Sequence, residues 1–215
     1  VIITPDAAIT ASPVSSEICI GGSVNLTSIL TGGSSAVSYQ WQYSIDSLSG
    51  WANVGSPNTS NYLASPATVG VHFYRVVVTD LLSGCSQPVS NVVYITVQPD
   101  ASVSVSPALT TVCIDGAAPL SAIITGGSSQ LTIQWETSSN IGGPWVDIVG
   151  EHTLNYSAPT NLSGTLYYRV RINDNSAGCF EPFSTIMTVT VIPDLIVSVD
   201  PSPIVECIGG TLNMS

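Results

Sequence analysis

The chain repeats itself. Cys19-Ile20-Gly21-Gly22 returns as Cys113-Ile114-Asp115-Gly116 and again as Cys207-Ile208-Gly209-Gly210, 94 residues apart each time. A fixed period of that length makes each unit one domain-sized structure, so whatever one unit folds into must stack on a copy of itself. The two full units align without a gap, Ile3 to Thr96 on Val97 to Thr190. Around their joints stand Thr4-Pro5-Asp6, Gln98-Pro99-Asp100 and Ile192-Pro193-Asp194, where a proline without an amide hydrogen interrupts a strand-like run. The expected organisation is residues 1–4 as the end of a preceding repeat, 5–98 and 99–192 as two full repeats, and 193–215 as the start of a third. That last piece is too short to bury a core, so the protein is expected to continue past it. Linkers of a few residues place neighbouring units in end-to-end contact.

Charge narrows the function classes. Only 8% of the 215 residues are charged, and the net charge is −11. Lysine is absent, and the three cations are Arg75, Arg169 and Arg171. Such a surface repels phosphate backbones and anionic lipid, which argues against a nucleic-acid partner. Mean hydropathy is high, +0.40, yet no apolar run nears the roughly 18 residues of a spanning helix, so no membrane insertion is expected within this segment. The apolar residues fall instead in short Val, Ile and Thr runs separated by Ser, Gly, Asn and Pro, an all-β composition.

Alternation places the strands. Val24, Leu26, Ser28 and Leu30 face inward on strand B, with Ala118, Leu120, Ala122 and Ile124 in the same phase of the second unit. A Gly-Gly-Ser-Ser turn follows, then strand C with Gln40-Trp41 or Gln134-Trp135. Gly50-Trp51-Ala52-Asn53-Val54 and Pro144-Trp145-Val146-Asp147-Ile148 read as short edge strands, and Asn61-Tyr62 and Asn155-Tyr156 open the next ones. Strand F holds Tyr74-Arg75-Val76 and Tyr168-Arg169-Val170, and strand G runs over 91–97 and 185–191. About seven short strands per unit predict tandem immunoglobulin-like β-sandwiches, with Trp41, Trp135, Tyr74 and Tyr168 as core residues.

The order strand-B alternation, strand-C Trp, strand-F Tyr-x-Val resembles the immunoglobulin pattern, with one departure. Where that family carries its inter-sheet cysteines, this chain has Ser28 with Val76 and Ala122 with Val170, so the usual bridge is missing. A Cys-x-Gly before strand B and a Gly-Cys after strand F (Gly84-Cys85, Gly178-Cys179) resemble more closely the tandem Ig-like repeats of Bacteroidota-type secreted surface and adhesin proteins. Asp115 departs from that motif.

Five cysteines at fixed repeat positions, without clustered histidines, point to disulfides and an oxidising compartment. Two pairings stand open once the resemblance supplies the fold. Strands B and F then run the same way, which puts Cys19 and Cys85 at opposite ends of a unit and sets Cys19 beside Cys179 of the next. Cys113, Cys207 and Cys85 would then pair with further repeats. The alternative joins Cys19 to Cys85 and Cys113 to Cys179 within units.

Other sites are thinly supported. His72 and His152 stand at non-equivalent repeat positions and read as exposed histidines, and no catalytic residue or enzyme activity is expected. Asp6, Asp80, Asp100 and Asp174 would hold calcium if they met at a unit junction, although the paired spacing of a calcium loop is missing. Trp51 and Trp145 read as caps on the core edge, or else as sugar-stacking rings, and Arg75 and Arg169 as outward groups awaiting an acid. The resemblance implies a structural segment of an extracellular bacterial stalk, fibre or adhesin. Its partners would be neighbouring repeats, and like chains if it forms a filament. A carbohydrate- or protein-binding module, or accessory domains of a secreted enzyme, are the alternatives.

Overall fold

The computed structural model of the chain describes residues 5–80, 87–197 and 208. Cys85, Cys207 and the proposed terminal fragments at 1–4 and most of 193–215 lie outside them. The described residues hold sixteen strands and no helix, so none is long and apolar enough to cross a membrane.

Unit 1 contains β1 (Ala8–Ser12), β2 (Ser15–Cys19), β3 (Val24–Thr31), β4 (Val37–Ser44), β5 (Ala52–Val54), β6 (Asn61–Ala64), β7 (Gly70–Asp80) and β8 (Val93–Gln98). They form two sheets, β1-β3-β6 and β2-β8-β7-β4-β5. Unit 2 repeats the arrangement with β9 (Ser102–Ser106), β10 (Leu109–Cys113), β11 (Pro119–Thr125), β12 (Thr132–Ser138), β13 (Val146–Asp147), β14 (Asn155–Ser157), β15 (Gly164–Asn173) and β16 (Met187–Ile192). Its sheets are β9-β11-β14 and β10-β16-β15-β12-β13. The fold is a pair of immunoglobulin-like sandwiches.

The first strand is where the structure goes beyond the periodicity. It changes sheets at Pro13 and Pro107, each after a cis peptide bond. β1 pairs antiparallel with β3, whereas β2 crosses to lie parallel with β8 and sets Cys19 opposite Gln98. β10 repeats this on β16, Cys113 opposite Ile192.

Each unit has its own core. Trp41, Tyr74 and Val76 are buried with Leu26, Ile18 and Ile95, and Trp135, Tyr168 and Val170 with Leu120, Ile172 and Met187. Trp41 and Trp135, both fully buried, sit opposite Val76 and Val170 in register and fill the space of the missing inter-sheet bridge. Ser28 turns its hydroxyl to the Ser60 carbonyl, 2.8 Å away.

His72 is not exposed but 3% accessible. It stands in the inward phase of β7 with Tyr74, Val76 and Val78, which is why it is buried. Its Nδ1 lies 2.9 Å from the Tyr43 hydroxyl and its Nε2 2.7 Å from the Thr68 carbonyl, so both ring nitrogens have a hydrogen-bond partner. His152 is exposed.

Candidate functional site

The joint between the units concentrates the features that the repeat sets apart. Because β2 follows β8 in parallel, its last residue arrives at the end of unit 1 from which the chain leaves for unit 2. The Ile20 amide donates to the Gln98 carbonyl (3.2 Å) and the Gly22 amide to the Cys19 carbonyl (3.0 Å), turning the chain back at the tip. The amide of Cys19 points the other way and donates to the Ala177 carbonyl of unit 2 at 3.0 Å. Beside that bond, Cys19 is joined to Cys179 by a disulfide, the Cα atoms 4.7 Å apart. The link spans 160 residues of sequence, and Cys19 is fully buried under it.

The two backbones approach too closely for side chains. A Cβ on Gly22 would stand 2.2 Å from the Ala177 carbonyl oxygen, and one on Gly178 would stand 2.3 Å from the Gly22 nitrogen. These glycines are there because backbone packs on backbone.

A carboxylate completes the contact. Glu17, in the middle of β2, accepts from Gln98 Nε2 at 2.7 Å and, across the joint, from the amide of Ser129 at 3.0 Å and from its hydroxyl. The Ser129 hydroxyl is the main cause that holds the Glu17 carboxyl below its ordinary value. Next to the disulfide is Asp174, 3% accessible. Burial works to raise its carboxyl, but the Ser128 amide and hydroxyl, each 2.7 Å away, and the Ser176 amide at 3.2 Å outweigh it and leave the value lowered. Neither Glu17 nor Ser129 stands out in the sequence. The available signal was a lone acid two residues before the cysteine in an almost uncharged strand.

The calcium expectation fares differently. Asp80 and Asp174 are turned onto serine donors of the turns after β3 and β11 in their own units, Asp80 onto the Ser34 amide and hydroxyl at 2.7 and 2.6 Å, while Asp6 and Asp100 are exposed. At the joint the potential ligands that converge are Asp174 and the sulfurs of Cys19 and Cys179, within 4.8 Å of one another. Sulfurs shared in a disulfide are not the thiolates that metal ligation needs, so the joint is a covalent clasp.

Trp51 and Trp145 lie on neither core edge. Arg75 alternates with inward Tyr74 and Val76, and its guanidinium lies 4.1 Å from the centre of the Trp51 ring. Arg169 sits between Trp145 and Phe183 at 4.4 and 4.0 Å. Outward arginines on a nearly uncharged sheet recruit the aromatic rings, which explains why these tryptophans leave the core. Arg169 also meets Glu136 at 2.5 Å, whereas Arg75 meets the neutral Gln42 at 2.8 Å.

A family model described as a domain of unknown function, DUF8696, matches residues 7–99 and again 103–193. No curated protein matches the chain. Among solved structures, one described as the structural basis for Dscam isoform specificity is 16% identical over 88% of this chain and 47% of its own, with a TM-score of 0.44. The four N-terminal Ig domains of Dscam1 isoform 6.9 are 13% identical over 88% and 47%, TM-score 0.43. The chain thus spans about half the length of those structures. The fibronectin(III)-like modules of Clostridium thermocellum CbhA are 15% identical over 86% and 95%, TM-score 0.40.

Proposed function

The chain belongs to the DUF8696 family, which it contains twice in tandem, and from that premise we propose that it is a structural segment of a long extracellular repeat protein. It would serve as a bacterial cell-surface stalk, fibre or adhesin of the Bacteroidota type, with no catalytic activity of its own. The observation that carries this reading is the Cys19–Cys179 bond, which couples successive units rather than bracing one. A disulfide persists where the surroundings are oxidising, and a bond between domains restrains the joint. That serves a protein whose task is to hold length and direction.

The sparse charge supports the same reading. With no lysine and three arginines, all of them engaged by aromatic rings, carboxylates or Gln42, the surface offers little to a protease that cuts after basic residues. The partners of each unit are the neighbouring repeats of its own chain. Immunogold electron microscopy on intact cells of the source organism tests this, with extended label outside the envelope as the expected result. Label confined to the cell interior would sink the proposal.

A further inference from the structure

The far end of unit 2 displays the same elements as the joined end of unit 1. β10 lies on β16 in the register that β2 keeps on β8. The Ile114 amide donates to the Ile192 carbonyl at 3.1 Å, as that of Ile20 does to Gln98. The Gly116 amide donates to the Cys113 carbonyl at 3.0 Å, as that of Gly22 does to Cys19. Even the left-handed residue between them is kept, Gly21 at φ 86° and Asp115 at φ 60°. In a parallel pair successive amides point to opposite sides. With the Ile114 amide committed to β16, that of Cys113 faces outward, the direction in which Cys19 meets Ala177. The contrast is in burial: Cys19 is fully covered and bonded, whereas Cys113 is exposed with a free thiol.

Unit 1 therefore shows the occupied form of a face that unit 2 presents open. We propose that Cys113 is the waiting half of a second joint, and that its occupant is the loop after strand F of another copy of this repeat, seated as 177–179 are seated on Cys19. This rests on the reading of the protein as a repeat array. Complementarity supports the choice of occupant. The open face offers an outward amide for a loop carbonyl, a thiol for a loop thiol, and Gly116 where Gly22 admits the opposing backbone. Thr111 and Ile192 stand where the first joint has Glu17 and Gln98. The second joint thus dispenses with the carboxylate–serine contact and relies on the disulfide, the backbone bond and apolar cover.

Closing it is an oxidation. Cys113 and the loop cysteine each give up a proton and an electron, a sulfur–sulfur bond forms, and a low-molecular-weight disulfide accepts the electron pair and leaves as two thiols.

The full chain, reduced and then reoxidised with glutathione disulfide, is digested with pepsin and mapped without reduction. The expected product is a peptide joining Cys113 to a Gly-Cys peptide of a second molecule. In this sequence that is Gly84-Cys85, the counterpart of Gly178-Cys179. Covalent oligomers should fall in Cys113→Ser, those left running through Cys207, while Cys19–Cys179 still forms. Recovery of Cys113 only as a glutathione adduct, or joined to Cys113 or Cys207 of another chain, overturns the proposal. That failure is separate from failure of the function reading, which cell-surface microscopy decides without reference to Cys113.

Discussion

Glu17 accepts hydrogen bonds from Ser129 across the joint and from Gln98 in its own unit, and these bonds, that of the Ser129 hydroxyl foremost, hold its carboxyl below its ordinary value. A carboxyl whose folded value lies below its unfolded one adds stability that is complete above the unfolded value and fades as pH falls through the folded one. Acid should therefore loosen the joint below that point. Melting curves across the acid range should show a steeper decline for the parent protein than for Glu17→Gln, and parallel declines would refute the role given to this side chain. His72 answers to a different measurement. Truncation by His72→Ala strands the Tyr43 hydroxyl and the Thr68 carbonyl and opens a void. Unit 1 should lose about 2–4 kcal/mol in denaturant unfolding. Unit 2 has Leu166 at that position, so Leu166→Ala should cost only the cavity.

Among the elements, the turn after β2 decides whether two units can meet. Gly22→Ala places a methyl group against the Ala177 carbonyl, and neither backbone can yield far without breaking the Cys19–Ala177 bond. Thiol titration of the reoxidised protein should find Cys19 and Cys179 less completely paired in this variant. Gly116→Ala is the control: it meets the same kind of contact with its own turn, Cys113 oxygen at 2.9 Å, but lies away from the first joint. Equal loss of pairing in both variants would trace the effect to the turn itself. Most of the sandwich was legible because Leu26, Trp41, Tyr74 and Val76 follow a period of two. β2 was not, since its partner β8 is parallel and some eighty residues distant, and no local pattern encodes that. The joint was half legible. Gly-Cys follows strand F in both units, so composition alone left two pairings open, and only strand direction separates them. His72 was misread although its phase with Tyr74 was available. Trp51 was misread because a ring preceding an edge strand can turn to either face, and the cation that draws it outward lies on another strand.

Across the whole molecule, the clasp at Cys19 and Cys179 alters what happens when the ends are pulled apart. Tension entering near the amino terminus reaches Cys19, crosses the sulfur–sulfur bond and leaves from Cys179. The 159 residues between them, which hold most of both cores, are outside the load path, while β1 and β2 before the clasp and β16 after it stay in it. At roughly 3.3–3.6 Å per extended residue, on the order of 500 Å of chain is withheld from stretching. Single-molecule pulling should accordingly give short extensions in oxidising buffer and gain about that contour length when a reductant is added. Equal extension in both buffers would contradict the clasp. If Cys113 closes in the same way, successive bypasses overlap, each beginning inside the one before. A filament so built would resist flow or shear as a covalent chain of linked loops, able to lose the folding of a unit without losing its reach.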